Sequence, residues 1–326
     1  MAQGKIIIGE PVGGVPSKKQ FNNWAWNSEG STMADYRKDV VKVYTEFTVK
    51  CLRDYMSLDM LSSVEDASEK LQKELPSWVP DWTVATKRIQ LLALTAENYY
   101  TSGKSSAGVQ WDPAKPNILG LEGHPTGTIH WLASEESARV KMVKFHHVMG
   151  WEAAVSNLPE AYPRGSSTFE AYWRTMIGEF IGHDDSAITP APEEFRKYYQ
   201  SFITFLEINH ASETGNRDNV DAVLVKRNLT KKDTEKLLLE QATFFEELGR
   251  IMSQRRLCTL QEGLIGAVPL STEIGDQIFV LKGGNVPFVL RATEEGQYQF
   301  IGECYVHGIM RGEMESQLDW RPMQIV

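Results

Sequence analysis

The chain has 326 residues, with 34 Lys and Arg against 43 Asp and Glu, giving a formal net charge of −9. Hydrophobic residues at 42% and charged residues at 24% are ordinary globular values and exclude a disordered chain. No run approaches the ~18 apolar residues of a membrane span, and a negative balance without a Lys/Arg block excludes a dedicated nucleic-acid binder. The apolar run Ile6-Ile7-Ile8 is too short for a signal peptide. Cys51, Cys258 and Cys304 are odd in number and far apart, so neither a disulfide framework nor a zinc-thiolate site is expected. The expected compartment is the cytoplasm.

Residues 1–34 mix glycines and prolines with Trp24 and Trp26 and read as an irregular lead-in that docks through its tryptophans. A mainly helical body with short β insertions is expected over 35–254. Its first helix would start at Asp35 as N-cap, with Tyr36, Val40, Val43, Phe47, Cys51 and Tyr55 recurring every three or four residues. Pro76 and Pro80 rule out a helix over Leu75–Thr83. Two short β runs, 117–123 and 128–131, flank a loop at His124-Pro125-Thr126-Gly127. A helix is expected near 134–158. The pattern Ser167-Thr168-Phe169-Glu170 is a capping box that opens a second one. A third runs over 192–209 from Pro192, and a fourth follows Thr230, with Leu237, Phe244, Leu248 and Ile251 on one face. The polar stretch 211–228 reads as a loop. From Arg255 to Val326 short β runs broken by glycine and proline indicate a small β-rich subdomain, with strands at 257–260, 264–268, 277–281, 287–291 and 297–307. The fold class is α+β, a mainly helical body with a small antiparallel sheet or barrel near the C-terminus.

Standard catalytic signatures are missing. Gly103-Lys104-Ser105 lacks the first glycine of a P-loop, and neither GxGxxG nor GxSxG occurs. His146 and His147 are adjacent on a helix, a spacing that turns the rings apart, and HExxH is absent. His147 falls on the apolar stripe and reads as a packing residue. No metal or organic cofactor is expected. Strand alternation over 297–307 sets Phe300, Cys304 and Val306 on a core face and Ile301, Glu303, Tyr305 and His307 on the other. That second face gathers a carboxylate, a phenol and an imidazole, suited either to a structural polar network or to proton transfer. Glu303 and His307 would stand about 13 Å apart unless Gly302 or Gly308 introduced a bulge. Trp78 and Trp82 suit a structural clamp or the wall of an apolar pocket, with Asp81 between them as a cap or turn residue. His124 is a loop histidine open to function. Arg255-Arg256 reads as a solvated or ion-paired edge, and Asp276 after Gly275 as a turn.

Asp35-Tyr36, Val43-Tyr44, Leu58-Asp59-Met60-Leu61 and Leu75 through Trp82 resemble fungal heterokaryon-incompatibility (HET) proteins just beyond their HET domain. The likeness continues in Trp173-Arg174-Thr175 and Arg255-Arg256-Leu257-Cys258-Thr259. It is densest in Gly275-Asp276, Val286-Pro287-Phe288-Val289-Leu290-Arg291 and the run Gly302 through Glu313. The chain starts where the HET domain of those proteins has ended, which on this reading leaves their incompatibility role behind. Stand-alone proteins of this kind are associated with fungal natural-product pathways. The resemblance to norbornene-forming Diels–Alderases of sordarin-type diterpenoid biosynthesis implies a cofactor-independent cyclase or pericyclase.

Such an enzyme would fold a small apolar metabolite and activate it by hydrogen bonding. Tyr305, His307 and His124 are the candidate catalytic donors, and Trp78, Trp82 and Glu303 the candidate substrate-binding residues. The alternatives are a non-catalytic HET-like interaction module and an acid–base isomerase using His307 or Glu303. Homo-oligomerisation is left open.

Overall fold

The computed structural model describes residues 39–85, 87–92, 99–139, 143–182, 188–213, 217–230 and 233–326. The expected lead-in 1–34 and the expected cap Asp35 lie outside these residues. Among the described residues the architecture is α+β, with seven α-helices and nine strands. No described helix is long and apolar enough to cross a membrane. The chain divides into two units. One comprises residues up to Thr126 with Asp276–Cys304 and Ile309–Val326; the other comprises Gly127–Gly275 with Tyr305–Gly308.

The first unit holds helix α1 (Val40–Tyr55), capped by Asp39, whose carboxylate accepts from the Val41 amide. Its buried face is Thr45, Thr48, Val49 and Leu52, not the expected stripe through Val43 and Phe47. The reason is local. Thr45 and Thr48 donate their hydroxyls to the carbonyls of Val41 and Tyr44, each at 2.8 Å, so their methyl groups enter the core with no polar group left over.

The rest of this unit is a closed ring of strands. Strand β5 (Gln277–Leu281) pairs with β6 (Phe288–Ala292), and β6 with β7 (Tyr298–Glu303). Strand β7 meets β9 (Arg321–Ile325) in parallel, and β9 runs antiparallel to residues 119–123 of β2 (Leu119–Leu132). The ring closes where β5 returns to β2, with the Lys282 amide donating to the Glu122 carbonyl at 2.9 Å. Closure removes unpaired edges. Gly123 is required inside it, because a Cβ there would stand 2.7 Å from Met323 Sδ and 2.8 Å from a Leu281 methyl. A two-residue strand β1 (Gln110–Trp111) adds to the start of β2. Strand β9, which the sequence reading omitted, carries Pro322 and is exposed along most of its length.

The expected loop at 124–127 is corrected, since these residues continue strand β2. Pro125 is tolerated because β9 pairs only with residues up to Gly123 and β3 only from Ile129 onward. The expected strand 297–307 is broken at Cys304 into β7 and β8 (Tyr305–Val306). A register shift opposite Val289 and Leu290 puts an extra residue, Ile301, into β7, and Gly302 takes φ +148°. Residues 300–301 and 303–307 are all buried, so no solvent face survives.

The loop before the barrel is held by buried charge. The Lys70 ammonium donates to the carbonyls of Pro76, Ser77 and Val79 at 3.2, 3.0 and 2.8 Å. The Asp81 carboxylate accepts the amides of Leu71, Gln72 and Thr83 at 2.7–3.0 Å. Burial alone would raise the Asp81 pKa, but these amides and the Thr83 hydroxyl outweigh it and hold it below the usual range. Glu65 accepts the Asp81 amide, and burial pushes its pKa up to about 7.

The second unit is mainly helical. The expected helix over 134–158 is two helices, α2 (Glu135–Arg139) and α3 (Phe145–Ser156). The second begins afresh at Lys144, whose amide donates to His147 Nδ1 at 3.2 Å. His147 thus acts as a buried cap, and its ring centroid lies 4.1 Å from that of His146, not turned away from it. Ser167 caps α4 (Thr168–Met176) by accepting from the Glu170 amide, as the capping box predicts. Helices α5 (Arg196–Glu213) and α7 (Asp233–Met252) pack through an aromatic core. Phe244, fully buried, has ring centroids of Phe202, Tyr199 and Phe195 within 5.3, 5.4 and 6.0 Å.

The expected loop 211–228 contains helix α6 (Arg217–Lys226), among whose described side chains none is buried. Its end is tied to α5 by Lys226 and Arg227, each 2.7 Å from a Glu207 oxygen. A sheet of β3 (Arg255–Leu260), β4 (Ile265–Pro269), β8 and residues 129–132 of β2 completes the unit. Arg255 and Arg256 are not a solvated edge. Arg255 is fully buried and donates to the Ile251 carbonyl, while Arg256 donates to the carbonyls of Ala133, Leu270 and Thr272.

Two outcomes follow. Phe244→Ala is expected to cost about 3–5 kcal/mol, measured by urea denaturation, through lost burial plus a cavity. Glu65 has its folded pKa raised from 4.5 to about 7, so its contribution is full below pH 4.5 and is lost as pH rises through 7. Wild type is therefore expected to lose roughly 3 kcal/mol relative to Glu65→Gln between pH 4.5 and 7.5, read from denaturation curves across that window.

Candidate functional site

In the second unit, Tyr305 and His307 are built by the end of the β4–β8 ladder. Ala267 pairs with Tyr305, and the His307 amide donates to the Ile265 carbonyl at 3.0 Å. The Tyr162 hydroxyl completes the arrangement, accepting from the Ile265 amide and donating to the His307 carbonyl, both at 3.0 Å. Burial raises the Tyr162 pKa far above the usual phenol range, which keeps its proton in place as a donor. The Tyr305 hydroxyl lies 3.1 Å from His307 Nδ1, and a Glu179 carboxylate oxygen lies 4.0 Å from the same nitrogen.

Backbone constraint surrounds this cluster. Glu179 has φ +62°, a left-handed conformation costly for a residue with a Cβ. It is held there by its amide donating to the Arg174 carbonyl and its carbonyl accepting from Ala191 and Thr189. Gly308 has φ +79°, and a Cβ there would stand 2.6 Å from Arg164 Cβ. The geometry permits proton exchange between Tyr305 and His307, whereas Glu179 at 4.0 Å acts on the imidazole only through its charge. Tyr305 has no exposed surface and His307 only 6%, so the cluster is a polar joint inside the core.

The other candidates belong to the first unit. Glu303 is fully buried and accepts the Leu91 amide at 2.8 Å. Trp78 is fully buried, its indole N–H donating to the Asn117 carbonyl at 3.0 Å. Trp82 is 40% exposed and meets Tyr44 and Phe47 edge-on at 6.5 and 6.0 Å. The two tryptophans therefore sit at different depths. His124 Nδ1 lies 3.0 Å from the Asp319 amide and 3.4 Å from the Asp319 carbonyl. Asp276 does more than turn the chain: its two oxygens take a fork of hydrogen bonds from Arg291 at 2.8 and 2.9 Å. The fold brings Tyr305 and His307 together and leaves His124, Trp78, Trp82 and Glu303 in the other unit. Among the described residues, no group of three or more His, Cys, Asp and Glu side chains is placed to hold a metal ion.

The sequence reading missed a cleft in the second unit, of about 350 Å³. His130 and Trp131 of β2 and Thr259 of β3 form one side; Gly150, Ala153 and Ala154 of α3 form the other. The small residues at i, i+3 and i+4 were legible as one helix face. The strand side was not, because it depends on an irregular register in β2.

A family profile described as the Het-6 β-barrel domain matches residues 116–324. Heterokaryon incompatibility protein 6, OR allele, of Neurospora crassa is 24% identical over 283 residues, covering 80% of this chain and 41% of that protein. The chain thus spans about two fifths of the relative's length. No solved structure matches it. These findings bear out the HET-like resemblance and have no bearing on diterpenoid cyclisation. The matched segment takes in the strand ring up to Gln324 and all of the helical unit, and the chain belongs to the Het-6 β-barrel domain family.

Proposed function

We propose that the chain is a non-catalytic, HET-like interaction module. One observation carries this reading: Tyr305 and His307, the candidate donors the fold brings together, are spent on joining strand β8 to its neighbours, with Tyr305 wholly buried and His307 6% exposed. Catalytic donors must reach the reacting atoms within hydrogen-bond distance, and a phenol with no exposed surface does not. The Neurospora relative, named for heterokaryon incompatibility, supports the same reading.

A second reading, the cofactor-independent cyclase, is favoured by the 350 Å³ cleft at Trp131, which falls within the ~300–1,000 Å³ range of small-molecule sites. Its donors would then be the residues of that cleft, not Tyr305 and His307.

Deleting the gene in its fungal host separates the two. The module predicts an altered fusion phenotype with unchanged metabolite extracts by mass spectrometry. Accumulation of an uncyclised isomer, converted to product by the purified protein without additives, would replace it with the cyclase. The structural role of the polar joint has its own measure. Tyr162→Phe leaves the Ile265 amide and His307 carbonyl without their shared partner and is expected to cost about 1–3 kcal/mol in urea denaturation.

A further inference from the structure

Strand β2 carries one residue too many opposite β3. Ile129 pairs with Leu260 and Trp131 with Thr259, so His130 is extra. Regular alternation sends neighbouring side chains to opposite faces of a sheet. A bulge re-aims them. Here His130 and Trp131, consecutive in sequence, both line the same cleft.

The facing wall is unusually thin. Helix α3 presents Gly150, Ala153 and Ala154, and a Cβ built on Gly150 would meet no atom within 4 Å. Asn157 and Leu158 continue the wall one turn further on. The volume that longer side chains would occupy is left as the cleft of about 350 Å³. Among the described residues that line it there is no Lys, Arg, Asp or Glu. Its polar lining residues, among those described, are His130, Asn157 and Thr259, beside Trp131.

We propose that this cleft binds a small, flat, mainly apolar ring compound bearing one hydrogen-bonding oxygen. The ring lies against Trp131 and slides under the side-chain-poor face of α3, where only backbone and methyl groups oppose it. The oxygen turns to the polar rim at His130 and Asn157. The site goes beyond the module reading and stands whether or not any bound compound is converted.

The test titrates 2-naphthol into the full-length, ¹⁵N-labelled protein and follows the indole N–H signal of Trp131, assigned by its loss in Trp131→Phe. A saturable shift of that signal is expected, while the Trp78 and Trp173 indoles stay unmoved. Naphthalene, which lacks the oxygen, is expected to bind several-fold more weakly, and His130→Ala to narrow that gap. Gly150→Leu fills the cleft and is expected to weaken binding at least tenfold. Its melting temperature should hold or rise, because glycine in a helix interior is the poorer helix former. The proposal is overturned if Trp131 does not shift up to the solubility limit of 2-naphthol, if Gly150→Leu binds as well as wild type, or if buried indoles outside the cleft shift equally.

Discussion

Backbone pairing along one long strand governs most of what this chain does structurally. The fourteen residues of β2 must hydrogen-bond with β9 and β5 at one end and with β3 at the other. The first set closes the barrel; the second begins the sheet that backs the helices. The strand changes partners between Gly123 and Ile129. The break is absorbed at Pro125 and Gly127, where a missing donor or side chain costs nothing, and at the bulged His130, where an extra residue resets the register.

A second theme is the use of charged and phenolic side chains to satisfy backbone groups that regular structure leaves unpaired. Unpaired buried amides and carbonyls cost too much to be left alone. Lys70 therefore serves three carbonyls, Asp81 three amides, Arg256 three carbonyls and Tyr162 one of each. Lys70 and Asp81 do so in a loop, whereas Arg256 reaches out from within β3, where it pairs with Val268. These residues explain a buried polar content that composition alone would have directed to the surface. They also show how Tyr305 and His307, which the strand pattern offered as candidate donors, come to be buried and bonded to each other.

What the sequence disclosed depended on whether local pattern and tertiary environment agreed. Helix α7 was legible because Leu237, Phe244, Leu248 and Ile251 are both periodic and buried. Strands β3 to β6 were legible because glycines and prolines punctuate them, and Ser167 because its cap is local chemistry. Helix α1 deceived because threonines hide their hydroxyls in their own helix, so the apolar stripe is not the buried one. Helix α6 carries no buried stripe and was invisible to any search for one. Of the candidate site residues, Tyr305 and His307 lie 3.1 Å apart from hydroxyl to Nδ1, a relation between near neighbours in sequence that survives the break at Cys304. The cleft at Trp131 was out of reach because it arises from a one-residue slip between strands that are distant in sequence.

The ammonium of Lys70 sits among carbonyl oxygens much as a dehydrated alkali cation sits in an ionophore. All three of its protons are committed, and the surrounding proline-stiffened chain has no slack with which to present the amine to water. An acylating reagent in solution would meet the free amine of this lysine only once the segment from Pro76 to Asp81 had let go of it. Its rate of labelling is thus a built-in clock for that opening, reading a local breathing motion that the exposed lysines of the same molecule do not register.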